Sequence, residues 1–228
     1  MPQSGLTNAD PLIWLASRSP RRRQLLTEAG IRHIAEHPGI EDSELETTGR
    51  RPEQWVASLA YLKAMAGAAA ARIRLWEESV LVLGSDTACV QDGRMIGTPC
   101  SAEEAGAMLR SFRSATHRVV TGVALVGLDR DEFGVPRLRT LCTCEADVRW
   151  GDVGEDEIER YLASNAWQGK AGAYNLRERV EAGWPIEIRG GEDTVMGLPI
   201  EAVRKKVRAL SERAGWRAGE RRAAGVPG

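Results

Sequence analysis

The chain is predicted to fold as an α/β domain around a mixed sheet, and three observations carry that expectation. Short apolar runs that suit strands alternate with segments of helical periodicity over most of its 228 residues. Two long strand-like segments, about 116–128 and 138–150, are joined by a turn-rich link too short for a crossover, so they should pair antiparallel. Glycines and capping residues stand where the elements should begin and end.

Leu12-Ile13-Trp14-Leu15-Ala16 reads as a buried strand. Ser19 at the N-cap and Pro20 at the first helical position then start a helix, with Leu25, Leu26 and Ala29 on its apolar face and Gly30 closing it. Residues 31–36 read as a second strand, and the polar, acidic stretch 37–51 as a long loop. Pro52 opens a helix through about residue 73, with Val56, Leu59, Ala60 and Lys63 at helical spacing. Residues 80–90 form a strand, and Gln91-Asp92-Gly93-Arg94 a hairpin turn. Ser101-Ala102-Glu103-Glu104 is a capping box ahead of a helix with Ala105, Met108, Leu109 and Phe112 on one face. Beyond the antiparallel pair, residues 155–164 read as a short helix carrying Ile158, Tyr161 and Leu162. A glycine-rich segment, a strand near 184–188 and a last helix with Ile200, Val203, Val207 and Leu210 complete the order. Residues 11–210 are expected to form one domain, with 1–10 and 211–228 as flexible tails.

Lys and Arg number 31 against 32 Asp and Glu, so no global charge draws the chain to nucleic acid or an anionic membrane. Arg21-Arg22-Arg23 is the one basic run that points toward nucleic acid, and it is outweighed by that balance. Apolar runs such as Val80-Leu81-Val82-Leu83 are too short to cross a bilayer, and residues 1–10 lack the features of a secretory signal, so the expected location is the cytoplasm. Cys89, Cys100, Cys142 and Cys144 form no C-x-x-C pair and are expected to be reduced thiols. His33, His37 and His117 have neither metal-ligand nor triad spacing, which argues against a His-dependent nucleophilic enzyme.

The candidate chemistry starts at Ser17-Arg18-Ser19-Pro20-Arg21-Arg22. A helix N-terminus presents unpaired backbone N–H groups and the positive end of the helix dipole. Two hydroxyls and a pair of guanidiniums add to it, and Arg is well shaped for phosphate oxygens. Taken alone, the motif equally suits a plain capped helix with solvated arginines. Asp86, where the strand residues Val80-Leu81-Val82-Leu83 meet Gly84-Ser85, can hold a divalent metal, activate a water, or merely bond its own turn. Lys63 sits on an apolar helical face, where it either snorkels to solvent or points a cation into a cleft. Lys170, inside Gly169-Lys170-Ala171-Gly172, offers a third cation beside small backbone, although the segment lacks the spacing of a P-loop. Asp42, in the acidic loop, is either solvated charge or a second metal-binding carboxylate. Together these residues fit metal-assisted hydrolysis of a phosphate anhydride.

Six short motifs then occur in one order: Ser17-x-Ser19-Pro20-Arg21-Arg22, Leu59-Ala60-x-x-Lys63-Ala64, Gly84-x-Asp86-Thr87, His117-x-Val119-x-Thr121-Gly122, Lys170-Ala171-Gly172-Ala173-Tyr174 and Gly197-Leu198-Pro199. In this the chain resembles the Maf family of nucleoside triphosphate pyrophosphatases, from about Leu12 to Leu210. The resemblance implies an elongated mixed α/β fold with two lobes around a cleft, related to the inosine triphosphate pyrophosphatases. It also implies hydrolysis of a nucleoside triphosphate to monophosphate and pyrophosphate with Mg²⁺ or Mn²⁺. By the same resemblance Asp86 is the proton acceptor and Lys63 its catalytic or phosphate-binding partner. Ser17, Ser19, Arg21, Arg22 and Lys170 hold the triphosphate, Asp86 and Asp42 the metal, and Arg22, Thr87 and Arg177 bear on base choice.

Lys170-Ala171-Gly172-Ala173-Tyr174 is similar to the branch acting on dTTP and UTP. Three departures stand out. Thr98 occupies a place where the family has lysine, Asp42 one where it has Glu, and Arg177 one where that branch has Gln. A guanidinium only donates hydrogen bonds, so Arg177→Gln is expected to sharpen a preference for uracil or thymine. The function expected is therefore a pyrophosphatase for pyrimidine triphosphates, with a homodimer allowed for. The alternative is a nucleotide-binding regulator of cell division with weak or no turnover, a reading that Thr98 favours and that Asp86 and Lys63 oppose.

Overall fold

The computed structural model describes residues 10–40, 49–75 and 79–216. Local signals set most of the boundaries. The elements are β1 (Leu12–Ala16), α1 (Pro20–Glu28), β2 (His33–Glu36), α2 (Pro52–Arg74), β3 (Val80–Gln91), β4 (Arg94–Ile96), α3 (Ala102–Phe112), β5 (Thr116–Gly127), β6 (Arg139–Trp150), α4 (Glu155–Ala163), α5 (Leu176–Glu181), β7 (Ile186–Gly190), α6 (Glu192–Val195) and α7 (Ile200–Ala214), with a 3-10 turn at Ala171–Ala173. Ser19 caps α1 by accepting from the Arg22 backbone N–H, and Ser101 caps α3 by accepting from that of Glu104. Asp92 and Gly93 both take positive φ in the β3–β4 hairpin, as expected of that dipeptide.

Four places differ from the sequence expectation. Residues before His33 do not extend β2, because the Ile31 N–H bonds back to Leu26 and its side chain enters the core beside α1. The β7 strand starts at Ile186, because the Trp184 N–H closes the turn after α5 on the Arg179 carbonyl. α5 and α6 are too short to show a helical period. α7 runs to Ala214, past the expected start of the tail, and Gly215 ends it at φ 66°. Most of the acidic stretch expected as a loop, Asp42 included, lies outside the described residues.

One mixed sheet of seven strands organises the molecule, in the order β2-β1-β3-β5-β6-β7, with β4 paired to β3. The β2, β1 and β3 strands are parallel, whereas β3, β5, β6 and β7 are antiparallel. Four core clusters fill it, three of them large. Ile13, Leu15, Leu81 and Leu83 pack beneath α1 and α7, while Trp14, Val80 and Val82 pack beneath α2. Successive residues of β3 therefore bury on opposite faces, as a strand covered on both sides must. The third cluster, around Phe112, Trp150, Tyr161, Tyr174 and Trp184, occupies the other end of the sheet.

α2 is long and apolar enough to cross a membrane on length and composition alone. Its Val56, Ala60, Ala64, Ala68 and Ala71 are nevertheless buried against the sheet, and these small side chains let its backbone lie close to β3 and β5.

The functional geometry follows from an interruption in one edge of β3. β1 pairs with it from Leu12↔Val80 to Leu15↔Leu83. β4 pairs with it only from Cys89↔Ile96 onward. Between them, residues 84–88 have β5 on one side and, among the described residues, no strand on the other. The chain leaving β1 turns through Ser17-Arg18-Ser19 into α1 beside this notch.

Candidate active site

Residues from both faces of the sheet reach the notch. On the α2 face, the Lys63 ammonium lies 2.7 Å from Asp86 Oδ1, and both side chains are largely buried. The cation on the apolar stripe of α2 therefore has a partner across the helix–sheet interface. Asp86 Oδ2 makes no hydrogen bond among the described residues. On the opposite face, Arg22 donates from Nε to the Gly197 carbonyl at 2.9 Å, from Nη1 to Ser17 Oγ at 3.3 Å and from Nη2 to Thr87 Oγ1 at 3.2 Å. Gly197 has φ 96°, and a Cβ there would stand 3.0 Å from Thr87 Oγ1. Both facts call for glycine.

The threonines form a directed chain. Thr121 gives its hydroxyl proton to the Thr194 carbonyl at 2.8 Å, so in the 2.9 Å contact between the two hydroxyls Thr87 donates and Thr121 accepts. The Thr87 proton is thus committed inside the protein. Ser85, fully buried, shares its one hydroxyl proton between the Gly122 and Gly197 carbonyls, each at 2.9 Å. These bonds fix the Gly197 turn as one wall of the cleft.

A cavity of about 280 Å³ opens at the notch, lined by Ser19, Arg21, Arg22, Lys63, Asp86, Thr87, Cys89, Thr98, Val119, Gly169, Ala171, Tyr174, Asn175, Leu176, Val195, Met196 and Gly197. A trough of about 420 Å³ continues from it past Ser17, Arg18, His37, Pro38 and Ile40, and shares Ser19, Arg21, Arg22, Lys63 and Gly169 with it. Arg21 makes no hydrogen bond or ion pair among the described residues, so its guanidinium is unspent where cavity and trough meet. Three cationic side chains line the cavity against the one carboxylate of Asp86. The remaining lining is mostly apolar. A polyanion attached to a flat ring suits that division.

Of the expected site residues, Ser17, Ser19, Arg21, Arg22, Lys63, Asp86 and Thr87 come together here. Lys170 and Arg177 do not line the cavity. The Lys170 ammonium pairs with Glu178 at 2.5 Å, and Arg177 is held by Glu28 at 3.0 Å and Glu192 at 2.8 Å. Each charge has found a nearer carboxylate than the cleft offers. Asp42 lies outside the described residues. Thr98, standing where the resemblance implies lysine, does line the cavity.

Cys89, Val119, Asn175, Val195 and Met196 also line it and were not expected from the sequence as site residues. Cys89 is buried, which pushes its thiol up to about 12 and keeps it an inert wall. Because Arg177 is spent at the surface, Arg177→Gln is expected to leave the ratio of rates on UTP and CTP unchanged. Its stability should change little, since exposed ion pairs contribute little. Comparing initial rates on the two nucleotides checks this.

Tyr174 is anchored from behind the site. His117 Nε2 lies 2.8 Å from its hydroxyl, among Phe112 and Trp150. Burial drives the His117 pKa down to about 4, and its Nδ1 is buried without a hydrogen-bond partner. Protonation would place a charge there with no acceptor. The unfolded chain takes that proton near pH 6.5 and the folded one only near pH 4, so the unfolded state binds more protons in between. Stability is therefore present above pH 6.5 and is lost as pH falls toward 4, by about 3 kcal/mol over the window. Urea midpoints measured from pH 7 to 4 should show this fall, and His117→Gln should flatten it.

The family model described as Maf-like protein matches residues 12–210. A dTTP/UTP pyrophosphatase of Aromatoleum aromaticum is 38% identical over 195 residues, covering 82% of this chain and 90% of the relative. One from Alkalilimnicola ehrlichii is 37% identical over 190 residues, covering 83% and 88%. One from Thermotoga maritima is 35% identical over 216 residues, covering 92% and 93%.

Proposed function

The chain belongs to the Maf-like family, and from that premise we propose that it is a cytoplasmic nucleoside triphosphate pyrophosphatase acting on UTP and dTTP. The names of its relatives support the activity and the base. The observation that carries the reading in this chain is the Lys63–Asp86 pair, 2.7 Å apart, in one cavity with the unspent guanidinium of Arg21.

The triphosphate lies along the trough, gripped by Arg21 and by the N-terminus of α1 behind Ser19. Arg22 holds the walls together rather than acting mainly as a phosphate ligand, because three of its N–H groups serve Ser17, Thr87 and Gly197. Lys63 occupies Asp86 Oδ1 and so orients the carboxylate, leaving Oδ2 to take the proton of the attacking water. That water cleaves the α–β anhydride, and pyrophosphate leaves along the cationic trough.

A divalent cation fits this donor set. Mg²⁺ is commonly held by one or two carboxylates and completes its shell with substrate phosphate oxygens and water. Asp86 supplies one such carboxylate, and no cluster of three or more metal-ligating side chains occurs among the described residues. When bound, the cation neutralises the charge of the triphosphate.

The test is release of pyrophosphate from UTP, dTTP, CTP, GTP and ATP with Mg²⁺ or Mn²⁺. UTP and dTTP should be cleaved fastest, and a chelator should abolish turnover. A purine preference would remove the base assignment, and activity untouched by a chelator would remove the metal. Thr98, inside the cavity, favours one second reading, a binding regulator with little turnover. Tight UTP binding without pyrophosphate release would decide for it.

A further inference from the structure

We propose that Asn175 reads the base, donating from its side-chain amide to the O4 carbonyl of a uracil or thymine nucleotide. This rests on the pyrimidine-triphosphate reading above and deepens it. Asn175 is the N-cap of α5, with extended backbone at φ −114° and ψ 126°, and its Oδ1 accepts from the Glu178 N–H at 3.5 Å. The cap commits the oxygen to the helix, so the face of the amide left over is Nδ2, which can only donate. Nδ2 has no hydrogen-bond partner among the described residues, and Asn175 lines the part of the cavity that the phosphate trough does not share. Tyr174, Leu176, Val195 and Met196 supply mainly apolar walls around it.

The other candidates for this task are weaker. Arg177 is engaged by Glu28 and Glu192. Thr87 has committed its proton to Thr121. Thr98 has a hydroxyl, which turns to donate or accept and so does not distinguish a carbonyl from an amine. Asn175 is also rigidly mounted. Gly172 and Ala173 both adopt left-handed φ, at 69° and 67°, and the Gly172 N–H bonds the Gly97 carbonyl at 3.0 Å. A non-glycine residue holds that conformation only where its surroundings enforce it. His117 fixes the next residue, Tyr174, by its hydroxyl. A donor held in place meets an acceptor at O4 of uracil or thymine, but meets an amine donor at the same position of cytosine. Discrimination of this kind comes from the donors left unpaired with the wrong base.

Asn175→Asp tests the assignment, because Asp caps a helix as well as Asn does while replacing the donor by an acceptor. UTP and CTP carry the same triphosphate, so the added negative charge cancels in their ratio. The UTP:CTP ratio of kcat/KM should fall by about tenfold or more. The unaltered enzyme should also use 4-thio-UTP less well than UTP, since sulfur is a poor acceptor, and Asn175→Ser should erase that difference. An unchanged UTP:CTP ratio in an active Asn175→Asp enzyme overturns the proposal. If that variant is inactive, equal use of UTP and 4-thio-UTP by the unaltered enzyme overturns it. Failure of the unaltered enzyme to release pyrophosphate from any triphosphate instead overturns the pyrophosphatase reading itself.

Discussion

Asp86→Asn is expected to lower turnover by about 10²–10⁴-fold, the usual cost of losing a general base. Asn keeps the size of the side chain and, through its amide oxygen, the bond from Lys63 at the Oδ1 position. The substitution removes the charge, the proton acceptor at Oδ2 and one carboxylate for the cation. Affinity for the nucleotide measured without the cation should hold or rise, because Arg21 and the α1 N-terminus are untouched and one carboxylate no longer repels the triphosphate. Rates of pyrophosphate release, set beside equilibrium binding of UTP, separate the two effects. A variant that keeps more than about a tenth of the original rate would show that Asp86 is not the base.

The second large effect is expected at Gly84 and Gly122, which do not line the cavity. Both stand beneath α2. A Cβ on Gly84 would lie 2.0 Å from the Ala60 carbonyl oxygen and 2.6 Å from the Ala64 nitrogen, and one on Gly122 would lie 2.4 Å from the Val56 oxygen. These obstacles are helix backbone, which does not step aside as a side chain does. Gly84→Ala or Gly122→Ala must lift α2 off the sheet, at a cost of about 3 kcal/mol or more. Because Gly122 pairs with Asp86 in register and Lys63 rides on α2, the same lift widens the 2.7 Å contact between Lys63 and Asp86. Denaturant titration should therefore show a large loss of stability, and whatever folded enzyme persists should turn over slowly. Gly93→Ala, where an added Cβ meets nothing within 4 Å but φ is 75°, is the control for conformational strain without a clash.

The order of the elements along the chain was legible because it is written locally. Ser19 and Pro20 start α1 wherever it packs, and the Asp92-Gly93 turn needs only its own dihedrals. Lys63 was legible as an anomaly, a charge on an apolar stripe, and the structure supplies Asp86 as its counterpart. Lys170 and Arg177 were not legible. What a surface cation does depends on which carboxylate reaches it, and Glu28 reaches Arg177 across 149 positions of sequence. The notch in β3 was hidden for a related reason: a strand's own residues do not say where its neighbours stop. Asn175 was missed because nothing local marks an amide as facing a cavity. Its signal, an Asn followed three residues later by the Glu178 N–H it caps, was present but reads as an ordinary helix start.

The bond from Arg22 to the Gly197 carbonyl joins residues 175 apart. On the ribosome, the first of these partners is made long before the second, and chains organise in that direction. The α1 grip can be in place while the wall that closes over it has yet to be translated. No chain cut short before Gly197 holds a complete cleft, so competence to cleave a nucleotide arrives late and all at once.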